Sequence, residues 1–443
     1  MAKPHTLLLR GTTWRNWGRS ERTTPAFRAR PGTVDELVAV LAQARERSLP
    51  VKVVGASHSF TAIAATDGIL IEIDAISGII AADARTGRVT LGAGTHLYDL
   101  PELLAPYGLA LTNMGDIDRQ TIAGATSTGT HGTGLAFGGL ATQVVGVVLV
   151  LADGTLLRVN ETENAELLPA VRLGLGALGI LVEMTIQCVP AFLLHAEERP
   201  QRFGEVLDEF EALAGSVDHF EFYWWPHTDA AMTKRNTRLP IDAPRYPIGP
   251  VSGWVEDRLL GNGAHALMCN IGRVIPSATP PINRLATRLY GNRSFTDLSY
   301  KVFTSPRTTR FRESEWALPI EAVPQALRDI RGLIEKRGWN ISFPIEVRVA
   351  AADDNWMSTA YDRVSGYIAV HRYFHEDHEP YFRAVDQIMR GYGGRPHWGK
   401  IHYLDDEDVA ERYPKFDQFR AVRDRLDPER VFANPYLKRV LGR

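Results

Sequence analysis

Val51-Lys52-Val53-Val54-Gly55-Ala56-Ser57-His58-Ser59-Phe60-Thr61 opens as a short β-rich run and breaks at a glycine into a loop of small and hydroxyl-bearing residues. Such a loop lets backbone approach a pyrophosphate and turns N–H groups toward it. Val54, Gly55, Ala56, Ser57, His58 and Ser59 are the residues placed to do this. A histidine there has no evident structural task; the plainer alternative is an ordinary turn with His58 exposed. Upstream, residues 33–47 read as an amphipathic helix, with Thr33 and Glu36 as a capping box and Leu37, Val38, Leu41 and Ala44 on one face. Downstream come apolar runs at 68–73 and 88–91, then a helix opened by Thr95 and running toward Tyr107-Gly108. A long strand at 143–151 is closed by Asp153-Gly154, and another at 180–189 is stopped by Pro190. Short strands, intervening helices and glycine-rich joints make an α+β pattern.

A second stretch, 113–134, holds almost no large side chains. Gly115, Asp116, Thr121, Gly124, Thr128, Gly129, Thr130 and His131 fall within it. Residues this small cannot build a core, so they suit a surface where backbone lies against a flat or anionic ligand. A flexible linker is the alternative, disfavoured by the interleaved Thr, Ile and His. Gly174, Gly176 and Gly179 spell G-x-G-x-x-G, but a helical stretch (163–173) precedes them and a strand follows. That order is the reverse of a dinucleotide-binding βαβ unit and argues against one.

After Pro190 aromatics cluster at Phe220, Phe222, Tyr223, Trp224 and Trp225, and residues 235–262 read as an irregular loop. Helices are expected over 321–338 and 379–392, strands over 342–351 and 367–373, and a last helix over 416–426. Glu346 and Arg348 in Phe343-Pro344-Ile345-Glu346-Val347-Arg348 are two apart on a β-rich run and share a face. Together they can pair or bind hydroxyls; a surface cross-strand pair is the alternative. Arg395-Pro396-His397-Trp398-Gly399-Lys400 suits a polar site with an aromatic wall. His375 and His378 have the wrong spacing for H-E-x-x-H and no third ligand nearby, so a solvated loop is expected there.

The 443-residue chain carries 44% hydrophobic and 23% charged residues, as a soluble enzyme of two or three domains would. A net charge of -2 gives no sign of nucleic-acid binding. No apolar run reaches the roughly 20 residues that span a bilayer, and Leu7-Leu8-Leu9 is too short for a signal-peptide core. Two cysteines exclude a disulfide framework. The expected setting is cytoplasmic, with peripheral membrane attachment left open.

Taken in order, GASHSFT (55–61), NMGDIDRQTIAGATSTGTHGTG (113–134), FPIEVR (343–348) and RPHWGK (395–400) resemble the aldonolactone oxidoreductases. These are vanillyl-alcohol-oxidase-type flavoproteins and include gulonolactone, arabinonolactone and alditol oxidases. The resemblance runs from about Trp17 to Tyr436. It implies an FAD-binding domain of the PCMH type in two subdomains (1–190), a cap domain with an antiparallel sheet (191–405), and a C-terminal segment returning to the first domain (406–443). It implies FAD attached covalently through His58, with Val54 to Ser59 around the pyrophosphate. Gly115, Asp116, Thr121, Gly124 and Thr128 to His131 would line the flavin, Ile180 the adenosine, and His397 would touch the flavin. Glu346, Arg348, Lys400 and His371 would form the substrate side. The implied reaction oxidises a sugar lactone of the L-gulono-1,4-lactone type by hydride transfer to the flavin, which oxygen or an electron carrier then reoxidises. Alditol oxidation is the alternative, and a non-catalytic flavin or carbohydrate binder is the reading from another class. Asp116 stands where alditol oxidases carry a serine, which favours the lactone. Gly115 would leave oxygen a path to the flavin.

Overall fold

The computed structural model describes residues 7–249, 263–289, 291–305 and 308–443. Three sheets carry the architecture. In the first, β1 (Leu9–Arg10) lies antiparallel on β2 (Phe27–Ala29). β2 and β3 (Val51–Val54) then flank β4 (Ile69–Glu72) in parallel. The crossover between β2 and β3 is α1 (Val34–Glu46), capped by Thr33 Oγ1 accepting from the Glu36 N–H at 3.2 Å. The expected capping box is only half formed: Glu36 accepts from the Gly32 N–H at 2.7 Å instead of from Thr33. Leu37, Val40, Leu41 and Ala44 are buried in one cluster with Ile69 and Ile71 of the first sheet and Val148 and Val150. Val40 thus takes the inward place expected of Val38, which stays half-buried.

The second sheet is antiparallel and uses β5 (Ile79–Asp83), β6 (Arg88–Gly92), β7 (Val144–Val150), β8 (Leu156–Asn160) and β9 (Ile180–Gln187), in the order β8-β7-β9-β6-β5. The helix expected from Thr95 shrinks to Leu100–Leu104 and a single turn, Ala105–Tyr107. Pro106 has no N–H to continue it, and Gly108 at φ +64° ends it. The small-residue run 113–134 holds a short helix, α2 (Ile122–Ser127), and ends with the Gly134 N–H donating to the Val349 carbonyl at 2.9 Å.

The third sheet is antiparallel and eight-stranded. Its strands are β10 (Phe192–Arg202), β11 (His219–Trp224), β12 (Ala230–Pro240), β13 (Arg293–Leu298), β14 (Phe311–Pro319), β15 (Ile345–Ala350), β16 (Ser365–Tyr373) and β17 (Arg395–Pro396). They run in the order β13-β10-β12-β11-β15-β16-β14-β17. β12 overturns part of the loop expected at 235–262; residues 250–262 lie outside the described ones. One face of this sheet presents Phe220, Phe222, Val347, Ile368 and Trp316 to the core, against α3 (Val323–Arg337) and α4 (Glu379–Gly391). Burying such side chains is worth about 1.5–3 kcal/mol each. Because side chains alternate along a strand, the other face is left to the intervening polar residues.

The chain then returns to its beginning through α5 (Phe416–Leu426) and α6 (Pro435–Leu441). The Val51 N–H donates to the Val431 carbonyl at 2.8 Å, and the Asn434 amide reaches the carbonyls of Ala62, Ile63 and Ala65 at 2.9, 3.1 and 2.9 Å. Among the described residues no helix is long and apolar enough to cross a membrane.

Candidate active site

A cavity of about 1230 Å³ runs from the β3 loop and the start of β9 to the polar face of the third sheet. Single pockets for drug-sized ligands span roughly 300–1,000 Å³, so this one has room for an extended ligand and a second, smaller one. Its near wall is backbone. A Cβ at Gly55 would lie 2.5 Å from Thr121 Oγ1, and Thr121 in turn caps α2 by accepting from the Gly124 N–H at 3.2 Å. Ser57 adopts φ +61°, held by Trp14 Nε1 donating to its hydroxyl (2.9 Å) and the Trp17 N–H to its carbonyl (2.8 Å). The Trp17 ring stacks on His58 at 5.5 Å. Gly176 (φ +61°) and Gly179 (φ +143°) line the far end beside Ile180, Lys52 and Phe432. A loop with backbone this close to the cavity, walled by Gly, Ala, Ser and Thr, fits a dinucleotide.

The second wall belongs to the sheet. Register pairs Glu221 with Lys234, Tyr223 with Glu346, and Glu313 with His371, so these side chains share one face. At its centre, Arg348 is ion-paired with Glu346, donates to Glu221 Oε2 at 2.9 Å and lies 3.4 Å from Asp116 Oδ1. Burial opposes its charge, but three carboxylates hold its protonation far above the ordinary arginine range. Lys234 lies 3.4 Å from Glu221, and the Tyr223 hydroxyl donates to Glu346 at 3.2 Å. Lys400 is ion-paired with Glu313 and 4.0 Å from Glu315. Burial alone would lower its pKa, yet those carboxylates raise it.

Four histidines complete the wall. His371 Nδ1 is 3.0 Å from the Pro344 carbonyl and Nε2 is 3.6 Å from Glu313. His131 Nδ1 is 2.8 Å from the Gly132 carbonyl, Nε2 is 3.3 Å from Glu315, and the ring stacks on Tyr367. His397 Nδ1 accepts from the Gly399 N–H at 2.9 Å. Burial pushes His397 down to about 3 and His58 down to about 4, the latter helped by the charges of Lys400 and Arg119.

Every candidate residue from the sequence lines this one cavity except Gly129. Gly129 turns the chain at φ +82° with Leu173 behind it. A Cβ at Gly115 would lie 3.0 Å from the His131 carbonyl oxygen. Sequence reading missed Glu221, Glu313, Glu315 and Lys52, along with Gly176 and Gly179, which line the cavity despite belonging to a rejected motif. A usable signal existed for two of them: Glu313 and Glu315 repeat the two-residue spacing of Glu346 and Arg348. His375 is exposed to solvent, and His378 is 3.1 Å from Arg312 Nη1.

Residues 25–160 match the family model of an FAD binding domain. A solved cholesterol oxidase from B. sterolicum superposes with a TM-score of 0.81 at 19% identity, covering 100% of this chain and 99% of that one. Fold and site define an FAD-dependent oxidoreductase, built as a PCMH-type FAD-binding part in two subdomains with a large antiparallel sheet over it. Residues 184–440 match the model of D-arabinono-1,4-lactone oxidase, and the chain belongs to that family. It is 43% identical over 433 residues to L-gulono-1,4-lactone dehydrogenase of Mycobacterium tuberculosis, covering 97% of this chain and 99% of that protein. It is also 34% identical to L-gulonolactone oxidase of Bos taurus, covering 97% and 98%.

Proposed function

We propose that the protein oxidises a five-membered aldonolactone, of the L-gulono-1,4-lactone type, at a hydroxyl-bearing carbon. The observation that carries this reading is Arg348, buried among Asp116, Glu221 and Glu346 where the nucleotide-sized cleft meets the sheet. Carboxylates accept from substrate hydroxyls, and the Arg348 and Lys400 cations donate to a lactone carbonyl, which an alditol lacks. Asp116 is thus more than a replacement for a serine, because it helps hold the arginine.

FAD, when bound, would supply a hydride acceptor for the substrate carbon, to be reoxidised by oxygen or an electron carrier. The remaining work is this chain's. Val54 to Ser59, with Thr121, Gly124, Thr128, Thr130 and His131, line the cavity and would hold the cofactor, Ile180 its adenosine, and Gly115 and His397 its ring system. His58 is the covalent anchor: stacked on Trp17 and neutral, it keeps a ring lone pair free. Lys400 and Arg348 stay charged and stabilise developing negative charge. His371 donates an Nδ1–H hydrogen bond to the Pro344 carbonyl, which leaves Nε2 as the atom that takes the hydroxyl proton. Glu313 steadies the ring that results.

The division into 1–190, 191–405 and 406–443 is supported by the third sheet starting at Phe192 and by the return of Val431 and Asn434 to the β3 region. Free, buried Cys188 and Cys269 suit a cytoplasmic setting. With a dye as acceptor, L-gulono-1,4-lactone is expected to give a higher kcat/KM than xylitol or sorbitol; the opposite ranking would replace the lactone with an alditol.

A further inference from the structure

We propose that Glu313 and Glu315 are positioning residues that together keep Lys400 a permanent ammonium beside the substrate. The proposal rests on the reading of Lys400 as a cation facing the reacting atoms. Both carboxylates stand on β14, two residues apart, on the cavity face of the sheet. Glu313 is ion-paired with Lys400, and Glu315 lies 4.0 Å from Nζ. Both carboxylate side chains are at least nine-tenths buried. An ammonium buried alone loses its proton, because the low-dielectric interior penalises the charged form. Two buried carboxylates reverse that sign for Lys400.

The same pair reaches further. Glu313 lies 3.6 Å from His371 Nε2, and Glu315 lies 3.3 Å from His131 Nε2. One strand therefore links the small-residue wall, through His131, to the substrate end, through His371. Among the described residues, the titratable groups facing Lys400 are Glu313 and Glu315 from β14, Glu346 from β15, His371 from β16 across Glu313, His58 from the β3 loop, and His397 from its own segment. The uncharged Phe60 ring lies 5.4 Å from Nζ. Glu346 is already engaged by Arg348, so Glu313 is the main counter-charge.

The test is a pH titration of the flavin absorption in the resting holoenzyme, followed by stopped-flow flavin reduction with L-gulono-1,4-lactone after a pH jump. Wild type should show no absorption step from about pH 7 to about pH 10, since a paired lysine stays protonated there. Glu313→Gln keeps the shape but removes the charge. Lys400 should then deprotonate inside that window, giving an absorption step and a reduction rate that falls about tenfold per unit above it. Glu313→Asp should restore the flat profile. Arg in place of Lys400 in the Glu313→Gln background should abolish the step, because a guanidinium does not deprotonate in this range. Glu315→Gln, more distant, should give a smaller version of the same step. A flat titration in both Gln variants, with flavin still bound, overturns the proposal, as does a step that survives Lys400→Arg. The titration uses no substrate. A step in Glu313→Gln together with undiminished reduction in Lys400→Met would therefore uphold the clamp and reject the reading of the substrate site instead.

Discussion

His58 and Arg348 show how one side chain's surroundings decide its chemistry. Burial, then the charges of Lys400 and Arg119, push His58 down to about 4, so above that pH the ring is neutral and its lone pair is available. Flavin retained in an acid-precipitated pellet should therefore be the same for protein loaded with FAD at about pH 6 and about pH 8, and absent in His58→Ala. Incorporation that climbs steeply between those values, or a colourless wild-type pellet, would contradict the anchor. Arg348 is the opposite case, a cation that three carboxylates keep charged. Removing one partner of a buried ion pair costs about 3–5 kcal/mol. Arg348→Ala should lower Tm and slow flavin reduction about 10²-fold or more, as loss of a charge-stabilising donor does. A near-wild-type reduction rate measured by stopped flow would remove it from the mechanism. Glu346 and Arg348 were legible because a short β-rich run fixes the side-chain period. Glu221 was not, because an isolated glutamate in a strand ordinarily faces water, and the spacing of Glu313 and Glu315 gives them a shared face without saying that the face is buried. Only the pairing of β14 with β16, and of β11 with β12 and β15, buries them.

Elements were readable where local chemistry decides them. α1, α3 and α5 fall within a residue or two of their expected ends, set by Thr33 at one start and Gly338 (φ +64°) at one finish. β12 was unreadable because Arg, Asn and Pro in 235–240 suggest a loop, while pairing with β10 and β11 holds them in a sheet. β3 carries a less visible device. The Lys52 ammonium donates to the carbonyls of Gly176 (3.0 Å) and Phe432 (3.2 Å), tying β3 to the glycine turn and the returning C-terminal segment. Burial pushes Lys52 down to about 7 from its ordinary 10.5, with Asp427 opposing. Between these values the folded chain binds fewer protons than the unfolded one, so this residue's contribution to stability rises with pH and is least favourable below about 7. The difference in unfolding free energy between wild type and Lys52→Met should therefore move by a few kcal/mol in favour of wild type from about pH 6 to about pH 9. A pH-independent difference in denaturant titrations would show that the lysine stays charged in the folded state as well.

In the molecule as a whole, three sheets meet around one cavity. The first sheet supplies the loop holding His58, the run between β6 and β7 of the second sheet supplies Asp116 and His131, and the third supplies Arg348, His371 and Glu313. No single segment holds a complete site, which is why the four motifs had to be read together before a cofactor and a substrate class followed. On the proposed function, this cavity brings a lactone against FAD. Anaerobic mixing of the holoenzyme with L-gulono-1,4-lactone, followed by flavin absorbance, tests it most directly. The flavin should bleach in a single fast phase that saturates with lactone, is slowed about 10²-fold or more by Arg348→Ala, and reverses when an acceptor is added. A flavin that stays yellow with the lactone, or that bleaches equally fast in Arg348→Ala, would contradict it.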